Sequence, residues 1–241
     1  MKTAPASPPL PPGCSWPEVL AHHRRREERA ALHRRFGYDG RAAVRFVLDQ
    51  ARPLPERALE IGTGKGNFMV ALAREGVRVT TVDINAEEQD AARLAAAYAG
   101  VFSRIEFRVA DAQALPWREG AFPLVISLNT FHHLPRPDRA LAEMWRVLAP
   151  GGKLVLADFS ATGFQRMAAI HQFEGRRHPT PPNRFAHWEA WLREQGAKTR
   201  RTAGRHQEVL VAHAPPAGPG VPGLRLPRAP AGPARPHPPF P

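Results

Sequence analysis

Three glycines and one acid hold the most specific chemistry in this chain. Residues 58–66 read Ala-Leu-Glu-Ile-Gly-Thr-Gly-Lys-Gly, and Val82-Asp83 ends the next apolar run. Gly62, Gly64 and Gly66 let a backbone bend sharply and come close to a ligand. An acid at Asp83, about 20 residues on, is placed to accept hydrogen bonds from a ribose diol. The spacing narrows the nucleotide. A dinucleotide fingerprint needs G-x-G-x-x-G, but here the third glycine comes one residue early and Asn67 takes its place.

These residues need a strand, a turn, a helix and a second strand to position them. Ala58–Ile61 is a short apolar run, Asn67–Arg74 has helical character, and Val77–Val82 is β-branched. Strands are expected at 58–61, 77–82, 105–110, 124–128 and 153–158, with helices at 66–75, 86–99 and 138–148 between them. Asn85 with Glu88 is a cap for the second helix and Gly100 a stop. Leu141, Met144, Trp145 and Leu148 give the third an apolar face. Pro150-Gly151-Gly152 turns into the next strand. This alternation implies a parallel sheet with helices on both faces. Upstream, Ser15-Trp16-Pro17-Glu18 is a capping box opening a helix to about Phe36-Gly37. Asp39 caps a second helix, with Val44, Val47, Leu48 and Ala51 at helical spacing. Downstream, Gly163–Arg184 reads as an irregular excursion over the site. Phe185–Gln195 reads as a helix, and 198–203 and 208–213 as two closing strands, making seven in all.

Composition bounds the rest. The 241 residues suffice for one domain with a substantial core. No run approaches the ~18 apolar residues of a membrane helix. Residues 1–14 lack a signal-peptide core and read as a disordered leader. From Pro215 onward 11 of 27 residues are proline, so a disordered tail over 215–241 is expected. Cys14 is the only cysteine, which excludes an internal disulfide and a cysteine metal site. A cytoplasmic location is the expectation. Net charge is +12, yet residues 53–160 are nearly neutral, so the flanks carry the excess. A basic flank can attract nucleic acid. Arginine outnumbers lysine 30 to 4, which a GC-rich genome explains equally well, and nucleic acid is not favoured.

Four blocks together resemble the class I S-adenosylmethionine (SAM)-dependent methyltransferases. They are Leu59–Gly66, Val82-Asp83-Ile84, Ala110–Pro116 and Leu148–Leu154. Ser127–Leu134 has the same look. Within the family the chain is most similar to the ubiquinone/menaquinone-biosynthesis type and its small-molecule relatives. The resemblance covers about residues 56–160 and the closing strands. It implies a Rossmann-like class I methyltransferase fold with a mostly parallel seven-stranded sheet. It further implies an N-terminal helical lid at 15–52 and a SAM-binding domain at 53–214.

The resemblance also implies roles. SAM is the cofactor. Gly62, Thr63, Gly64 and Gly66 bring backbone N–H groups to its carboxylate, Glu60 orients the turn or meets the amine, and Asp83 takes the ribose hydroxyls. Ile84 packs on adenine, Asp111 accepts from the adenine amine beside Ala112, and Asn129 lies near the methionine amine. His132, His133, His171 and His178 are the candidate catalytic residues, the first two as bases, although a packing role is favoured for that pair. His171, His178 and His206 are candidates to line the acceptor pocket, with Arg24–Arg26, Arg176 and Arg177. His22, His23, His171, Glu174, His178 and His206 are too irregularly ordered for a metal motif, and no metal is expected. The acceptor expected is an anionic or polar small molecule. Absence of an Asn-Pro-Pro-Tyr-type motif after strand four disfavours amino methylation of bases or glutamine. The alternatives are an RNA methyltransferase using the basic flanks and a non-catalytic SAM-binding regulatory protein. Oligomeric state is left open.

Overall fold

The computed structural model describes residues 10–217. Two helices, α1 (Trp16–Arg35) and α2 (Gly40–Ala51), precede β1 (Arg57–Ile61). Then come α3 (Asn67–Arg74), β2 (Arg78–Asp83), α4 (Ala86–Tyr98), β3 (Ile105–Val109) and β4 (Phe122–Leu128). The chain continues through α5 (Pro137–Val147), β5 (Leu148–Phe159), α6 (Ala161–Phe173), α7 (Phe185–Glu194), β6 (Lys198–Gly204) and β7 (Gln207–His213). The expected caps are formed. Glu18 accepts from Ser15 N, Asp39 from Arg41 N and Ala42 N, and Asn85 from Glu87 N and Glu88 N.

The seven strands form one sheet in the order β3-β2-β1-β4-β5-β7-β6. Strands β1 to β5 are parallel, and β7 pairs antiparallel with β5 and β6. This is the mostly parallel sheet expected, with the two last strands as an antiparallel hairpin. Strand order reverses between β1 and β4, so a crevice opens at their carboxyl ends, where ligands bind in open α/β sheets.

Alternation along each strand feeds two cores. Val125, Leu154, Leu156 and Leu210 pack with α5 and α7 through Leu141, Met144, Trp188 and Leu192. Leu124, Ile126, Val155 and Val209 face the other way, onto Phe68, Met69 and Leu72 of α3 and Ala92 and Ala96 of α4. Val47, Leu48 and Ala51 of α2 belong to this second core. Of the two N-terminal helices, then, α2 builds the sheet layer, and α1 is the one that reaches the crevice. There Arg26 donates to Lys65 O and, at 2.5 Å, to Asn67 Oδ1.

Two sequence expectations change. The first half of the 163–184 excursion is helical: α6 runs to Phe173, opened by Ser160, whose hydroxyl accepts from Gly163 N. Its apolar residues Met167 and Ile170 are buried with Tyr38 and Phe159, a tertiary contact that outweighs the weak local pattern. Strand β5 also starts early, at Leu148, and its register on β4 shifts across the Pro150-Gly151-Gly152 turn. The leader expectation for 1–14 and the tail expectation for 215–241 fall largely outside the described residues.

Candidate functional site

The glycine turn caps the crevice beside β1. Gly62 N and Thr63 N both donate to Val82 O, at 2.8 and 3.1 Å, which ties the turn to β2. All three glycines have positive φ, at 86°, 44° and 77°. Their surroundings differ. A Cβ on Gly62 would stand 2.8 Å from Thr130 Cβ and nearer still to its hydroxyl. One on Gly66 would meet Met69 and Ala92. One on Gly64 would meet nothing within 4 Å. Gly62 and Gly66 thus serve packing, and Gly64 faces open space where a ligand can approach its backbone.

Asp83 ends β2 beside that opening. Its Oδ2 accepts from Gly64 N and its Oδ1 from Asn85 N, each at 3.0 Å. A carboxylate has about four acceptor positions, so Asp83 keeps capacity for a diol while its orientation is fixed. The next residue, Ile84, is 72% exposed, and Val109 at the end of β3 is 60% exposed. Two bare apolar side chains beside a fixed carboxylate make a surface for a planar base. Asp111 accepts from Gln113 N at 2.8 Å and from Gln113 Nε2 at 3.0 Å. Ala112 is turned into the core, so only its backbone is offered to a ligand.

Asn129, at the end of β4, has φ 53° and donates its N–H to Ala157 O. Its side-chain oxygen is buried without a partner among the described residues. Glu60 and Thr63 turn inward instead. Thr63 Oγ1 lies 2.9 Å from Thr81 Oγ1, and Thr81 donates to Glu60 Oε2 at 2.6 Å. Glu60 is 2% exposed, and burial pushes its pKa from 4.5 up to about 8. A direct ligand contact by either side chain is therefore not what their orientation favours.

The raised Glu60 makes a test. A carboxyl whose folded pKa is raised contributes fully below its unfolded value and loses that contribution as pH rises. The window here runs from 4.5 to about 8. Glu60→Gln removes the titration and keeps an acceptor for Thr81. Its melting temperature relative to the parent is expected to climb, on the order of 10 °C, between the ends of that window. A difference that stays flat with pH would show that Glu60 is not raised.

The histidines converge beyond Thr130. His132 is buried, donates its backbone N–H to Asp158 Oδ2 at 3.1 Å, and places Nδ1 2.6 Å from Asp158 Oδ1. His133 follows with one edge exposed. His178 comes in from the α6–α7 connection, with its ring 5.0 Å from that of His132, and His171 stands 4.7 Å behind it. Burial, followed by the neighbouring His132, pushes His133 and His178 down to about 4, so both are neutral at pH 7. The other candidates go elsewhere. His23 stacks on Tyr98, Glu174 pairs with Arg29 and Arg176, and Arg26 is committed to the glycine turn. His206 sits at positive φ near Tyr38 and Thr162.

Sequence reasoning passed over two site residues. Asp158 carries a legible signal, an acid ending an apolar strand. Tyr38 does not: its hydroxyl accepts from Gln207 Nε2 only because the turn before α2 and strand β7 are brought together.

Residues 59–156 match the family model described as a methyltransferase domain. Over these residues, the chain is similar to that family. The domain is 34% identical over 149 residues to a 27-O-demethylrifamycin SV methyltransferase of Amycolatopsis mediterranei, covering 60% of this chain and 52% of that protein. It is 36% identical over 121 residues to a demethylmenaquinone methyltransferase of Thermus thermophilus, covering 49% and 53%. The chain spans about half the length of these relatives. In fold, the chain is similar to the Haemonchus contortus phosphoethanolamine N-methyltransferase 2 solved with S-adenosyl-L-methionine. That likeness has a TM-score of 0.56 at 16% identity and covers 72% of this chain and 52% of that one. The fold is the class I methyltransferase fold, and the glycine turn and Asp83 lie inside the matched segment.

Proposed function

We propose that the chain is a SAM-dependent methyltransferase acting on a small-molecule acceptor. The observation that carries the reading is the pairing of an unobstructed Gly64 backbone with an Asp83 carboxylate that the turn itself holds in place. Bound SAM would supply a methyl group already activated by the positive sulfur. The chain's own task is alignment. The α3 N-terminus offers N–H groups and a partial positive charge to the methionine carboxylate, and Gly64, whose N–H is held by Asp83, leaves the room for it to approach. Asp83 takes the ribose hydroxyls, Ile84 and Val109 flank the base, and Asp111 with the Ala112 backbone reads its edge. Asn129 stands by the methionine amine.

Methyl transfer is an in-line displacement, so holding acceptor, carbon and sulfur in line and keeping water out are the main contributions. The names of the relatives, a 27-O-demethylrifamycin SV methyltransferase and a demethylmenaquinone methyltransferase among them, favour a small organic acceptor. The acceptor approaches past α1 and the α6–α7 connection. No helix among the described residues is long and apolar enough to cross a membrane, and a cytoplasmic enzyme remains the working expectation.

Calorimetry decides the cofactor. SAM and S-adenosylhomocysteine are expected to bind, and NADH is not. NADH binding without any response to SAM would overturn the reading. Incubation with radiolabelled SAM and separate pools of metabolites and RNA then finds the acceptor class, and label entering RNA alone would displace the small-molecule reading.

A further inference from the structure

Three imidazoles meet where no spacing in the sequence announces them. His132 and His133 lie in the short turn after β4, and His178 arrives from beyond α6. One ring nitrogen from each lies within 4.8 Å of the others. The three ring centroids are 4.0, 5.0 and 5.9 Å apart. Ring packing alone accounts for this poorly. His132 Nε2 and His178 Nδ1 are both buried with no hydrogen-bond partner among the described residues. A buried polar atom left so costs about 1–3 kcal/mol, and a bound ion is one recognised explanation.

The support around His132 points the same way. Asp158 binds the His132 Nδ1 side at 2.6 Å and accepts from its backbone N–H. A carboxylate at one nitrogen of a histidine leaves the other nitrogen's lone pair facing outward, which is how metal-binding imidazoles are commonly oriented. Phe159 and Phe164 pack on the His132 ring, with centroids 5.4 and 5.3 Å away, and shield it from water. His133 keeps an exposed edge, so the group is reachable from solvent.

We propose that His132, His133 and His178 bind one divalent transition-metal ion of the zinc type, with Asp158 orienting His132 and a fourth position left open. Three imidazoles suit zinc, cobalt or nickel, and offer little to magnesium or calcium, which want oxygen ligands. Zinc–nitrogen bonds of about 2.0–2.1 Å in a tetrahedron put the nitrogens roughly 3.3 Å apart. The ion therefore draws the rings inward by about an ångström, and His178, on the connection between α6 and α7, is the ligand placed to move. His132 and His133 follow β4, which pairs with β1 at the point where the strand order reverses. An acceptor with an ionisable oxygen is the chemical class that an open metal position there would hold. That last step rests on the methyltransferase reading; the metal site does not.

The test uses the full chain, untagged, in a Cys14→Ser background, stripped with chelator. Titration with Co²⁺ is followed by visible absorption, and Zn²⁺ by competition. The expected result is one ion per chain, with the absorption bands of tetrahedral cobalt and affinity in the micromolar range or tighter. His178→Ala is expected to weaken binding by at least about 100-fold, and Asp158→Asn by about 10- to 100-fold. His23→Ala, outside the cluster, leaves it unchanged. Thermal melts and SAM calorimetry on each variant separate loss of the site from loss of the fold. No cobalt bands in the parent, or unchanged binding in His178→Ala and His132→Ala, overturns the metal site while leaving the cofactor reading intact. Loss of SAM binding with cobalt binding preserved does the reverse.

Discussion

Asp83→Ala is expected to weaken SAM binding by about 2–3 kcal/mol, because hydrogen bonds to a charged acceptor are the stronger kind. That is roughly a 30- to 150-fold rise in Kd. The variant loses more than the ribose contact. Asp83 also holds Gly64 N and Asn85 N, so the turn loses an anchor at the point where the ligand's backbone partners are displayed. Asp83→Asn divides the two effects. It keeps one oxygen for the turn, loses the charge, and is expected to fall between parent and alanine. The folded core does not depend on this half-buried side chain, so melting temperature should move little. Calorimetry with SAM, paired with a thermal melt, checks both. An alanine variant that binds SAM like the parent would show Asp83 to be a cap and nothing more.

Gly62→Ala and Gly64→Val are expected to fail in opposite ways. Gly62 has φ 86°, and its added Cβ would stand 2.8 Å from Thr130 Cβ. Thr130 cannot simply rotate away, since its Cβ is set by the backbone and its hydroxyl donates to Ile61 O or Leu128 O. The strain of a left-handed residue adds about 1–2 kcal/mol to an overpacking cost of about 1–3 kcal/mol. A loss of about 3–4 kcal/mol, near 10 °C in a chain of this size, follows. Combining Gly62→Ala with Thr130→Ala recovers part of it. Gly64 has the same backbone problem with empty space around it, so Gly64→Val costs about 1–2 kcal/mol in stability. Its branched side chain fills the approach to the backbone, and SAM affinity is expected to drop beyond detection. Melts and calorimetry on both variants make the comparison. Equal losses of stability would remove the distinction between a packing glycine and a ligand-facing one.

The two variants also mark how far the sequence can be read. That residues 62–66 form a tight turn tied to β2 and Asp83 was legible, because glycine spacing and the acid that ends β2 are features of one continuous βαβ segment. Which glycine has open space around it was not, because that depends on Thr130 just after β4 and Ala92 from α4. Glu60 is an intermediate case. Leu59 and Ile61 lie in one core, so strand alternation turns Glu60 to the opposite face, under α3. Reading that period would have shown it buried, whereas family likeness left it either orienting the turn or meeting the amine.

What the chain determined by itself is local. Helix caps at Ser15, Asp39 and Asn85, the strand–helix alternation, and the turn with Asp83 are set by backbone preferences and hydrogen bonds among near neighbours. These act over a few residues and survive in any tertiary setting. The order of strands, the placement of α2 on the sheet, and the helix at 161–173 needed tertiary structure, since each is stabilised by apolar surface supplied from elsewhere in the chain. The meeting of His132, His178 and Asp158 is the extreme case. One residue follows β4, one follows α6 and one ends β5, and no local rule connects them. They come together because β4 and β5 are paired in the parallel sheet and α6 folds back over their carboxyl ends, which is a property of the packed molecule and of no segment within it.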